Sequence, residues 1–345
     1  MRRYIRSLIL FISAAFVSCE KTVDFPAEES GRIYVNALVK DNEQSRIDIG
    51  IAKPIGAADN TYLGYLKLVL EADGKPVELT PDPVNSGNDM LSYTTDAVFS
   101  PGQKLTLQAS CGDLPSVHAE AAVPARIPEV NILKGELQSY KNDGAGMDTD
   151  ELKTLWVFTA QIDESPDDET CFCMQVLKRK VFEYEGNVPD HEREMLEKEE
   201  LIEQTDDLYV NGLLPDNGEL SSIDPEMVVD FDGGETFISR SKGNYGKATV
   251  SAMVEPTKRT ILSSGFDALT GLSYAVYQSY EYRIRLYRIS AETYDYLVAR
   301  YVGKNSFLPV YMGFTPPVYV YTNISGGAGM FGTASTYESE WLRYL

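Results

Sequence analysis

Across residues 32–125 the chain is cut into short runs that alternate polar and apolar residues, separated by turn formers, with no helical period. Arg46-Ile47-Asp48-Ile49-Gly50-Ile51 is the clearest case, since period two puts its isoleucines on one face of a strand. Ile33–Val39, Leu66–Leu70, Pro76–Leu79, Leu91–Tyr93, Lys104–Ala109 and His118–Val123 read as further strands, with Asp73-Gly74 as a hairpin turn. So dense a run of short strands predicts an immunoglobulin-like β-sandwich over 32–125, although the cysteine and tryptophan marks of true immunoglobulin domains are absent.

Val123-Pro124-Ala125-Arg126-Ile127-Pro128 follows as a joint, because residues before proline are pushed to extended geometry. Beyond it, 126–345 is expected to form a second, larger β-rich domain. Leu155–Gln161, Cys171–Phe182, Ala248–Val254 and Tyr280–Tyr287 are its strands. In the last of these Tyr282, Ile284 and Leu286 share one face while Arg283 and Arg285 take the other, the pattern of a sheet wet on one side. A short helix is expected after Ser290, its cap, with Ala291, Tyr294, Leu297, Val298 and Tyr301 at helical spacing and Gly303 as its stop. Asp190–Glu203, rich in Glu with a narrow apolar face, reads as a helical surface insertion.

The amino terminus has a different logic. Arg2, Arg3 and Arg6 precede the apolar run Leu8–Val17, which Ser18 and Cys19 close, in the order of a secretory signal. That run is too short to span a bilayer, which takes about 20 apolar residues. Phe16-Val17-Ser18-Cys19 resembles a bacterial lipoprotein box, which implies cleavage between Ser18 and Cys19 and a lipid on the Cys19 sulfur. Residues 1–18 are then the signal peptide and 19–31 a polar tether. Losing Arg2, Arg3 and Arg6 with no acid takes the formal charge from −21 to −24. An anionic surface without basic clusters repels phosphate backbones, so nucleic acid is not expected as a partner.

Catalytic signals are absent from the sequence. With His118 and His191 as the only histidines, most His-based catalysis and multi-His metal sites are excluded. Gly327-Ala328-Gly329-Met330-Phe331-Gly332 matches G-x-G-x-x-G, but the dinucleotide mechanism needs a following helix, strand and acid, for which the chain has no room before Leu345. The glycines are therefore expected to serve backbone geometry. Cys111, Cys171 and Cys173 read as buried thiols, with a Cys111 disulfide as the alternative. The acidic groups Asp163-Glu164, Asp167-Asp168-Glu169 and Asp230 to Glu235 do not keep EF-hand spacing and read as solvated faces. No enzyme activity, metal or cofactor is expected. Tyrosine is abundant, with 22 copies, and Tyr274, Tyr277 and Tyr280 cluster on one strand, where they serve sheet packing or form a surface for a sugar or a partner.

The stretch Leu286 to Leu297, followed by Asn323-Ile324-Ser325-Gly326-Gly327-Ala328-Gly329-Met330-Phe331-Gly332, resembles the uncharacterised Bacteroidota-type lipoprotein family known as domain of unknown function 4249. The resemblance covers nearly the whole chain after the signal. It implies an outer-membrane lipoprotein, on the periplasmic face or the cell surface, often encoded beside a TonB-dependent transporter and carrying no established catalytic residues. The expected role is non-enzymatic, accessory to such a transporter in ligand capture or assembly. An independent adhesion or glycan-binding lipoprotein is the alternative.

Overall fold

The structure is a computed structural model that describes residues 31–52, 63–87, 90–140, 152–165, 170–190, 193, 202–204, 227–231, 234–240, 242–244, 247–254, 256–267, 271–300 and 321–343. These residues are mostly β and sandwich-like, with a short helix over 291–300. The largest sheet has 12 strands. Its spine runs Cys171–Gly186, Leu272–Ile289, Ala328–Glu338, Arg32–Lys40, Ser45–Ala52 and Met90–Thr95, each bonded to the next. Every pair on that spine is antiparallel except one: Ala328–Glu338 lies parallel to Arg32–Lys40, with Tyr34 opposite Ala328 and Lys40 opposite Ala334.

Two four-stranded sheets cover the two ends of this spine. Over the amino-terminal strands lie Lys75–Pro76, Leu66–Ala72, Lys104–Cys111 and Val117–Ala122. Alternation aims Ile33, Val35, Ile47 and Ile49 from one side and Leu70, Leu105, Leu107 and Ala119 from the other into one core. Over the carboxy-terminal strands lie Lys242–Asn244, Lys247–Val254, Leu152–Ile162 and Val130–Tyr140. Here Phe158, Ala160, Val250 and Ala252 meet Phe172, Met174, Ile284 and Leu286. Each fully buried large apolar side chain in these cores contributes about 1.5–3 kcal/mol.

The two sandwich-like halves thus share one sheet, and Ala328–Glu338 is where they meet. Phe331 packs into the first core and Tyr337 against the second. Residues 123–129 carry no strand, as the prolines dictate. Arg288, buried, is paired with Glu164 and donates to the carbonyls of Ala125 at 3.3 Å and Arg126 at 3.4 Å, tying that connection to the second half. The strand Arg32–Lys40 takes one neighbour from Ser45–Ala52 and the other from the far end of the chain.

Local expectations fare unevenly. The Asp73-Gly74 turn has positive φ at both residues, 49° and 74°, as a tight hairpin requires. Ser290 caps the helix: its hydroxyl accepts from the Thr293 amide at 3.4 Å and its carbonyl from the Tyr294 amide at 3.0 Å. Gly303 lies outside the described residues. The strand expected over Pro76–Leu79 is broken, because Val77–Leu79 crosses from one sheet to the other between Lys75–Pro76 and Thr80–Pro81. The helix expected over Asp190–Glu203 falls largely outside the described residues, but its end is corrected: Ile202–Gln204 is a strand against Leu177–Arg179, taking over the edge beyond Met174 where the pairing with Gly234–Arg240 ends. Cys171 and Cys173 point to one face, as alternation requires, and pack with Tyr287, Ile289 and Leu297 beneath the helix. Cys111 sits in the first core; none of the three forms a disulfide.

Candidate functional site

The long strand Leu272–Ile289 has three neighbours in turn along one edge. Thr260–Asp267 pairs as far as Gln278, Leu342–Arg343 pairs at Glu281 and Tyr282, and Ala328–Glu338 takes over from Arg285. Ser279 and Tyr280 fall in the gap between the first two. The connection Pro256–Arg259, descending from the smaller sheet to the larger, crosses that gap without filling it. A cleft of about 490 Å³ remains, lined by Trp156, Tyr280, Pro256 and Thr257 with Ser279, Glu183, Lys258 and Arg259. Its size lies within the range of about 300–1,000 Å³ found for small-molecule sites.

Its aromatic wall is held in place. Trp156 meets Tyr282 edge-on, with centroids 5.2 Å apart at 71°, and Lys134 Nζ stands 3.7 Å from the Trp156 ring centroid. The Tyr280 hydroxyl accepts from Gln278 Nε2. The polar wall is built on Glu183. One carboxylate oxygen accepts from Ser279 Oγ at 2.7 Å and from Arg343 Nη2 at 2.6 Å, and the other from Arg259 Nε at 3.1 Å. Arg259 also stacks 3.6 Å above the Tyr277 ring, whose hydroxyl donates to Glu185 at 3.0 Å.

The Ser279 hydrogen bond, and after it Arg343 and Arg259, holds the Glu183 carboxyl below its ordinary value of 4.5, with burial acting the other way. Because the folded value is depressed, this contribution to stability is complete above about pH 4.5 and is lost as pH falls through the lowered value. Thermal melting followed across that range should therefore fall more steeply for the wild type than for Glu183→Gln. Equal slopes would mean that Glu183 does not organise this wall.

Of the residues singled out by sequence, Tyr280 lines the cleft and Tyr277 lies under Arg259, whereas Tyr274 packs in a small apolar cluster with Val188 and Val276. Ser18 and Cys19 lie outside the described residues. Asp163 pairs with Lys247 at 3.0 Å and Glu164 with Arg288, so both act as ion-pair partners. No group of three or more metal-ligating side chains occurs among the described residues. Sequence reasoning missed Trp156, Glu183 and Pro256–Arg259, which topology alone brings together.

The glycine-rich segment is a clasp. Gly326 and Gly329 have φ of 78° and 98°, in the region that favours glycine. A Cβ on Gly329 would collide with the Val35 carbonyl oxygen across the parallel pairing, one on Gly327 would lie 2.6 Å from the Ile33 carbonyl oxygen, and one on Gly332 would strike Thr293 Oγ1 of the helix. Two of the three glycines of the G-x-G-x-x-G match, Gly327 and Gly332, are thus needed for close approach rather than for positive φ. Along the other edge of this strand, Asn323 takes the place of a neighbour: its Nδ2 donates to the Phe331 carbonyl at 2.7 Å and its Oδ1 accepts from the Phe331 amide at 3.0 Å. Thr322 Oγ1 likewise donates to the Gly329 carbonyl at 2.7 Å.

No curated protein matches the chain significantly. A family match does extend over residues 20–340, taking in the aromatic cleft and the asparagine and glycine clasp, and so the chain belongs to the family described as domain of unknown function (DUF4249).

Proposed function

We propose that this is a lipid-anchored outer-membrane protein, on the periplasmic face or the cell surface, that captures a ligand in the Trp156–Tyr280 cleft as a non-enzymatic accessory of a TonB-dependent transporter. The observation that carries the reading is the charged, apolar and small-residue order of residues 2–19 ending on Ser18-Cys19. A triacylated Cys19 anchors the protein stably, since lasting attachment takes two or more chains at about 0.8 kcal/mol per buried methylene. Among the described residues no helix is long and apolar enough to cross a membrane. The cleft provides a place for the ligand. On one face of the adjoining hairpin Ile261 and Phe266 stand exposed, apolar surface of the kind that a partner protein covers.

Cys19→Ala should move the protein out of the membrane pellet or leave it as an unprocessed precursor. Fractionation with mass spectrometry of the mature amino terminus reads this directly, and a wild-type amino terminus that is unmodified and away from Cys19 would end the lipoprotein reading. Affinity capture from solubilised outer membrane should bring down a stoichiometric transporter. Capture of anchored protein alone would favour the second reading, an independent adhesion or glycan-binding lipoprotein, which the aromatic lining of the cleft supports.

A further inference from the structure

We infer that the cleft takes a neutral oligosaccharide, with a sugar ring laid against Trp156 and Tyr280 and its hydroxyl edge turned to Thr257, Lys258 and Arg259. The inference rests on the reading of this cleft as the ligand site, and concerns only what enters it.

The chemistry of the two walls narrows the ligand. Trp156, Tyr280 and Pro256 offer apolar and aromatic surface, while Lys258, Arg259, Thr257 and Ser279 stand beside it. A wholly apolar ligand would strip water from the Lys258 ammonium and from the Arg259 N–H groups that Glu183 does not hold, at a cost of about 1–3 kcal/mol for each group left unsatisfied. A strongly anionic ligand would have to compete with Glu183 for the Arg259 guanidinium, which already holds that carboxylate at 2.9 Å through Nη2. It would also approach against the field of a chain with a net charge of −21. A cation would find the Glu183 oxygens occupied by Ser279, Arg343 and Arg259. A ring with one C–H face and a rim of hydroxyls satisfies both walls without carrying a charge. The aromatic rings place contact area at low entropic cost, and the Arg259 guanidinium, fixed between Glu183 and the Tyr277 ring, presents its remaining N–H groups already oriented.

The chain has two tryptophans, Trp156 and Trp341, so Trp341→Phe leaves Trp156 as the only indole and makes its emission a local probe of the cleft. The full chain, purified in a non-glycosidic detergent, is titrated with xylohexaose, maltoheptaose, cellohexaose, mannohexaose and oligogalacturonate. We expect at least one neutral oligomer to shift the emission of the Trp341→Phe protein saturably and to give a matching calorimetric isotherm. Tyr280→Ala and Arg259→Met should each weaken that binding by about tenfold or more with the melting transition retained. No response to any neutral oligomer, binding of oligogalacturonate alone, or binding that both variants leave unchanged would each overturn the inference. Failure here leaves the membrane fractionation and transporter capture untouched, so the ligand class and the proposed role are tested separately.

Discussion

A chain ending at residue 320 should show no cooperative unfolding transition in either half. It lacks Ala328–Glu338, and with it Phe331 from the first core and Tyr337 from the second. Losing one large core aromatic alone costs about 3–5 kcal/mol. Asp41 would also be stranded: only 2% exposed, it accepts from Ser335 Oγ at 2.9 Å and from the Thr336 amide at 3.1 Å. Both edges that the missing strand had joined would be open. The combined loss exceeds the roughly 5–15 kcal/mol that folded chains have in hand. Calorimetry and denaturant titration check this, and adding residues 321–343 as a peptide should restore part of the transition. Cooperative unfolding of the 32–125 fragment alone, at the midpoint of the full chain, would show instead that the first sandwich closes without its distant strand.

Gly329→Ala should destabilise the protein by about 3 kcal/mol or more, lowering the melting temperature by roughly 4 °C or more for a chain of this length. Two penalties coincide there: φ is 98°, and the added carbon meets the Val35 carbonyl, part of the parallel pairing that neither strand can leave. Gly102→Ala separates them, since its φ is 77° but nothing lies within 4 Å of the added carbon. That control should cost only about 1 kcal/mol. NAD and FAD at millimolar concentration should leave the melting temperature of the wild type unchanged. A saturable rise, lost in Gly329→Ala, would return the segment to nucleotide binding.

How far the sequence discloses this molecule depends on the kind of information sought. Alternation along Tyr280–Tyr287 states which face is buried, and Tyr282, Ile284 and Leu286 do enter the core while Arg283 and Arg285 both reach Glu338 on the open face. The Ser290 cap is equally local, a hydroxyl answering an amide three residues on. Alternation says nothing, however, about which strand lies alongside which. Nothing in Tyr34–Lys40 names Ala328–Ala334 as its neighbour, and the glycines mark a close approach without saying to what. The cleft is hidden for the same reason. The tyrosine cluster points to the right strand, yet Trp156, Glu183 and Arg259 join Tyr280 only because three partners leave a gap along one edge.

The parallel pairing of the first strand with the last also sets a clock on folding. Ribosomes add about 5–20 residues each second, so Arg32–Lys40 waits some 15–60 s for Ala328–Glu338 to be made. Until then its second edge stays open, and Phe331 is still missing from the core that Val35 and Val39 enter. Contacts this distant in sequence form late and slowly. The nascent chain therefore stays pliable until its last strand arrives, and a prematurely terminated copy presents an unfinished sheet edge for proteases to find.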